Sequence, residues 1–239
     1  MIALSWSRLS TYLQCPRQFH LKFISKTFRE EEKSVHLIKG EELHKQLENY
    51  VLARNGQATM PVGFTPSVRE TLPYVDKLFS LYDALYPEAQ LAADVSWKPT
   101  DWFGKDTAWR AIWDLTAVKP QTCFIGDYKS GKIYPYGDTF GQLHLSAVMG
   151  LNRFQDVPEV TAAYVYIEHK KVEPIRVTRK ETDEVDSKGR RVPHLSVVQE
   201  YFDKQFERVQ FEKNWDPVAN DNCRWCQATR AQCQYSRKL

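Results

Sequence analysis

Nowhere in the 239 residues is there an apolar run of about 18 or more, so no membrane-spanning helix is expected. The opening stretch, MIALSWSRLSTYLQC, lacks a basic segment followed by a long apolar core, which argues against a secretory leader and for a cytoplasmic protein. Net charge is only +3, too small to name a partner by itself. No internal repeat is evident. Acids are missing from residues 1–29, which hold Arg8, Arg17, Lys22, Lys26 and Arg29. The five cysteines are an odd number, which favours metal ligands or buried thiols over disulfides in a reducing compartment.

What remains is ordinary for a globular chain: 42% hydrophobic and 26% charged, enough for one well-packed domain. Leu9, Tyr12 and Leu13 recur at helical spacing, with Ser5 or Ser7 as cap, and Cys15-Pro16 opens a second helix. Bases and the rings of Tyr12, Phe19 and Phe23 alternate there, a composition suited either to a nucleic-acid groove or to two amphipathic helices. Residues 27–36 read as a charged loop. A helix follows over 37–54 with Leu43, Leu47, Tyr50 and Val51 as its stripe; Gly40 lies four residues before His44, and Asn55-Gly56 ends it. A further helix is expected over 67–86, with Pro73 as a possible kink, and a strand over 92–99.

The stretch from Trp109 to Lys132 carries the strongest signal. Ala111–Val118 and Thr122–Lys129 read as two strands joined at Lys119-Pro120. Side chains alternate along a strand, so Asp127 and Lys129 share a face, and a hairpin can set Asp114 beside Asp127. Neighbouring acids repel, and a hard divalent cation between them relieves the repulsion. An isolated D-x-K is more often a solvated strand face. A helix over 138–151 containing Gln142, a buried strand over 161–167, an edge strand over 174–178, a charged loop around Lys188-Gly189-Arg190 and a last helix over 193–211 complete the order. Helices, strand, hairpin, helix, two strands and helix suit an α/β fold: a central mixed sheet flanked by helices, with a helical N-terminal part and a Cys-rich tail.

The tail holds Cys223, Cys226 and Cys233, a C-x2-C-x6-C spacing. A fourth ligand is needed, and Cys15 is the candidate, because Cys123 lies inside the expected central strand as a small core residue. Four thiolates suit zinc or an iron–sulfur cluster equally on ligand count. One close pair plus two single cysteines is the pattern more common for clusters.

Together these residues resemble the RecB-like branch of the PD-(D/E)XK nuclease superfamily, and within it the CRISPR-associated RecB-like and phage exonucleases that carry a four-iron four-sulfur cluster. The likeness is carried in order by Ser7-Arg8-Leu9, Cys15-Pro16, Gly40 and His44, Ala111–Asp114, Gly126–Lys132, Gln142-Leu143 and the terminal cysteines. Ala111 stands where the family usually has glycine, and Ser146 where it tends to have tyrosine. The resemblance implies a restriction-endonuclease-like core and a single nuclease domain over 1–239. Its sheet core would lie at 92–180, and 1–36 and 212–239 would pack together as the cluster subdomain. It implies a metal-dependent DNA exonuclease acting on single strands or ends. His44, Asp114, Asp127 and the backbone carbonyl of Tyr128 would hold Mg²⁺ or Mn²⁺. Lys129 and Gln142 would complete the catalytic set, and Cys15, Cys223, Cys226 and Cys233 would hold the cluster, with Zn²⁺ as the alternative. DNA is the implied partner, with protein partners in a recombination, replication or CRISPR-type complex.

Overall fold

The computed structural model describes residues 1–28, 33–133, 140–181 and 184–237. The chain divides into two compact units, Met1–Glu32 with Asp203–Leu239, and Lys33–Phe202.

The larger unit is built on five strands: β1 (Ala84–Ala93), β2 (Trp109–Lys119), β3 (Thr122–Lys129), β4 (Glu159–Tyr166) and β5 (Lys171–Thr178), arranged in that order across the sheet. β3 and β4 are parallel and the other neighbours antiparallel, so the sheet is mixed. The crossover between β3 and β4 carries a helix over Gln142–Arg153, as a parallel connection requires. Two helices cover the other face, Val35–Arg54 and Pro66–Leu81. The fold is α/β, a five-stranded mixed sheet flanked by helices.

Numbered along the chain, α1 (Trp6–Gln14) and α2 (Pro16–Phe19), continued by a π-helical turn over His20–Ile24, precede α3 (Val35–Arg54), α4 (Pro66–Leu81), α5 (Gln142–Arg153) and α6 (Leu195–Phe211). α3 starts where Ser34 caps it by accepting the Leu37 N–H, two residues before the expected boundary and inside the stretch read as a loop. Residues 29–32 and 138–139 of the expected segments lie outside the described residues. Leu43, Leu47, Tyr50 and Val51 of α3 pack with Val68, Val75 and Leu78 of α4 onto Leu85, Leu115, Phe124 and Val165 of the sheet. Each such aliphatic burial contributes roughly 2 kcal/mol. Past the end of α3, Gly56 takes a φ of 73° that favours glycine, and the Asn55 side chain donates to the Leu85 carbonyl at 2.7 Å. The helix is thereby tied to β1.

Three expected elements are corrected. The helix drawn over 67–86 stops at Leu81, and β1 begins at Ala84. The strand drawn over 92–99 is only its last two residues: Asp94 turns the chain, its carboxylate accepting the N–H groups of Ser96 and Lys98 at 2.8 and 2.9 Å. Trp97, expected on a strand face, has φ 64° and stacks on Trp109 at 5.0 Å. The edge strand drawn over 174–178 begins three residues earlier, at Lys171.

In the smaller unit Tyr12, Phe19 and Trp215 form a ring cluster, Phe19 and Trp215 stacked at 5.7 Å. The Tyr12 hydroxyl donates to Glu212 at 2.9 Å; burial first, then that carboxylate, pushes its pKa up to about 12.

Candidate active site

β2 and β3 pair from Lys119↔Thr122 to Leu115↔Gly126, which sets Asp114 and Asp127 at the next opposed position, where the strands part. There the ladder is replaced by a side chain: the Tyr128 N–H donates to Asp114 Oδ2 at 2.6 Å. Asp114 is thus fixed by the backbone of the D-x-K strand itself. His44 reaches the same carboxylate from α3, Nδ1 lying 3.5 Å from Oδ2. Gly40, one turn earlier, faces Ser130 just past the D-x-K strand; a Cβ there would lie 2.8 Å from Ser130 Oγ.

β1 supplies a residue that the sequence reading missed. Pro87 pairs with Leu115 and Ala89 with Trp113, so Glu88 lies across from Asp114. One ligand atom from each of His44, Glu88 and Asp114 falls within 4.8 Å of the others, the one such trio of His, Cys, Asp or Glu among the described residues. Asp127 completes the acidic group. Its Oδ1 accepts from Gln142 Nε2 at 2.5 Å, while Lys129 Nζ is 2.6 Å from Oδ2. That last approach is an ion pair without hydrogen-bond alignment, so the buried Oδ2 has no hydrogen-bond donor. Lys129 also donates to Gln142 Oε1 at 3.2 Å and sits 5.1 Å over the Tyr164 ring.

The electrostatics are those of a cation site. Burial, then Asp114 and Glu48, raises the Glu88 pKa. Burial, opposed by Lys129 and reinforced by Asp114, raises that of Asp127 to about 6. Burial opposes a charge on His44, but Asp114, Asp127 and Glu88 outweigh it and hold the imidazole pKa up. At an effective dielectric near 20, two like charges about 5 Å apart repel by roughly 3 kcal/mol. Two carboxylates and an imidazole, those of Glu88, Asp114 and His44, form a donor set that fits a hard divalent cation, with Asp127 paired to Lys129 beside them.

A family model of the PD-(D/E)XK nuclease superfamily matches residues 3–234. The chain belongs to that superfamily. A nuclease family implies a nucleic-acid substrate and metal-dependent phosphodiester chemistry. Two solved structures resemble the chain at 12% identity. One is named "Putative exonuclease" from Eubacterium rectale, with TM-score 0.48 over 99% of this chain and 89% of that one. The other is SSO0001, with TM-score 0.43 over 94% of this chain and 82% of that one. Among curated proteins there is no significant sequence match. No described helix of this PD-(D/E)XK chain is long and apolar enough to cross a membrane.

The smaller unit gathers the other expected residues. Cys15, at the junction of α1 and α2, lines one cavity with Cys223, Cys226 and Cys233, and all four are free thiols. The N–H groups of Val218 and Asn220 donate to the sulfurs of Cys15 and Cys223 at 3.5 and 3.4 Å. Cys123 lies apart, buried in β3, and burial pushes its thiol up to about 12.

Gln142 is placed by the start of α5, and that start depends on a neutral imidazole. His144 Nδ1 accepts the Gly141 N–H at 3.3 Å, and its ring lies 4.8 Å from that of Phe140. Burial, then the Arg190 charge, lowers the His144 pKa to about 4. The unfolded chain therefore binds a proton between about pH 6.5 and 4 that the folded chain refuses. Stability from this group is full above the unfolded pKa and falls by roughly 3 kcal/mol as pH drops through that window. Urea titrations are expected to show the His144→Gln variant losing that much less stability than wild type between pH 7 and 4. Parallel pH curves for the two proteins would refute it.

Proposed function

We propose that the chain is a divalent-metal-dependent deoxyribonuclease acting as an exonuclease on single strands or DNA ends. The observation that carries this is the convergence of His44, Glu88, Asp114 and Asp127 beside a lysine held by Gln142. His44, Asp114 and Asp127, joined by Glu88 and the Tyr128 carbonyl, would hold Mg²⁺ or Mn²⁺; the imidazole favours Mn²⁺ somewhat. Such a cation supplies Lewis acidity toward the scissile phosphate and makes water a better acid. Lys129 stabilises charge growing on the phosphate oxygens and orients the attacking water. Gln142 bonds both Asp127 and Lys129, so it sets the distance between the acid and the amine.

Cys15, Cys223, Cys226 and Cys233 would hold a four-iron four-sulfur cluster that fastens the C-terminal tail onto the N-terminal helices. Four thiols on one cavity with backbone N–H donors on two sulfurs support a thiolate-bound metal group.

Protein purified without oxygen is expected to be brown, to carry about four iron atoms per chain, and to shorten end-labelled single-stranded DNA progressively with Mn²⁺. Colourless protein with one zinc overturns the cluster. Internal cleavage or no cleavage, with both metals supplied, overturns the exonuclease.

A further inference from the structure

The β1–β2 arm carries a second constellation on the same side as the acids. Alternation puts Arg110, Ile112 and Asp114 on one face of β2 and the buried Trp109 and Trp113 on the other. The register seats Ala92 opposite Arg110 and Gln90 opposite Ile112, so these share that face. A pocket of about 490 Å³ opens along the end of β1, lined from both faces of the strand by Gln90 to Ala93, by Met149 and Arg153 of α5, and by Thr100 and Asp101, the residue that precedes Trp102.

Directly after Asp101 come two rings. The Arg110 guanidinium lies 5.5 Å from the Trp102 ring and 5.6 Å from that of Phe103, which is 85% exposed. Their loop is braced: the Gly104 N–H donates to the Asp101 carbonyl at 2.9 Å, and the Thr107 hydroxyl to the same oxygen at 2.8 Å. A Cβ at Gly104 would meet Thr100, Asp101 and Thr107 at 3.0 to 3.1 Å, so the turn is tight. The exposed ring is therefore carried on a defined turn. Among the described residues Arg110 and Arg153 have no carboxylate partner, and the buried Arg110 Nε has no acceptor.

We propose that this face is the track along which the single-stranded end of a DNA substrate reaches the acids, with bases stacked on Trp102 and Phe103 and phosphates taken by Arg110 and Arg153. The inference rests on the nuclease reading and adds a substrate subsite to it. Rings backed by a guanidinium bind unpaired bases with little regard to sequence, whereas a duplex keeps its base faces covered. Arg110 lies two alternations from Asp114, about 13 Å along the strand, roughly two to four nucleotides of a single strand. Asp101 and Asp106 sit in the same loop and hold its net charge down, so stacking rather than bulk charge sets the preference.

The test is fluorescence anisotropy of labelled oligothymidylate about 15 nucleotides long with the full chain in EDTA. Phe103→Ala and Arg110→Ala are each expected to weaken binding about tenfold with melting temperature unchanged, and to leave blunt duplex binding unaltered. Wild-type affinity in both variants overturns the track, as does an equal loss on duplex or tighter binding of oligouridylate. A wild type that binds through these residues yet cleaves nothing with Mn²⁺ overturns the nuclease reading and leaves the track standing, so the two failures are distinguishable.

Discussion

Substituting Lys129 by alanine is expected to lower the cleavage rate about a thousandfold while Mn²⁺ affinity changes only a few-fold. The two effects separate because the amine is not among the candidate ligands. It lies 2.6 Å from Asp127 Oδ2 and 3.2 Å from Gln142 Oε1, with the Tyr164 ring 5.1 Å beneath it. Those contacts hold a cation beside the acids before any substrate arrives, which is the arrangement that stabilises charge developing in the transition state without reorganisation. Lys129 is partly exposed, its side chain at 37%, so truncation removes little packing and the fold should survive. Single-turnover cleavage, with Mn²⁺ binding followed by calorimetry on the same variant, reads both quantities. Full activity in a folded Lys129→Ala protein would falsify the catalytic assignment.

How much of this was legible in the sequence depended on which force set each element. The β2–β3 hairpin was readable because its alternation and the Lys119-Pro120 turn agree with its place in the sheet, and the opposed acids follow from that register. The α3 stripe was readable for the same reason: Leu43, Leu47, Tyr50 and Val51 are the residues that are buried. β1 was not. Its sequence, ALYPEAQLAA, has the composition of a helix, and the helix drawn over 67–86 ran into it. Pairing with β2 overrides that propensity, and an edge strand tolerates the proline. Because β1 was missed, Glu88 was missed. The usable signal was Pro87 itself, which is a poor helix interior and an acceptable edge strand. Trp97 was likewise assigned to a strand face; the Asp94 carboxylate, by capping Ser96 and Lys98, turns the chain first.

Glu88→Gln is expected to act in opposite directions on two measurements. Mn²⁺ affinity should fall about 10- to 100-fold, and cleavage at limiting metal with it, while the metal-free protein should melt at a higher temperature. The reasoning starts from repulsion. Glu88 lies across the ladder from Asp114, and burial together with that carboxylate and Glu48 raises its pKa. Without a cation these charges destabilise the fold; with one they supply its ligands. Glutamine keeps the size and the φ of 49° at this position and removes only the charge. A purely structural glutamate would give the other pattern, a lower melting temperature and unchanged metal binding. Differential scanning calorimetry of the metal-free pair, with Mn²⁺ titrations on both, decides between them. The outcome also tests the site as a whole, since a cation held only by His44 and the two β2–β3 acids would feel the loss of a charge on β1 through space alone, a smaller effect than the loss of a ligand.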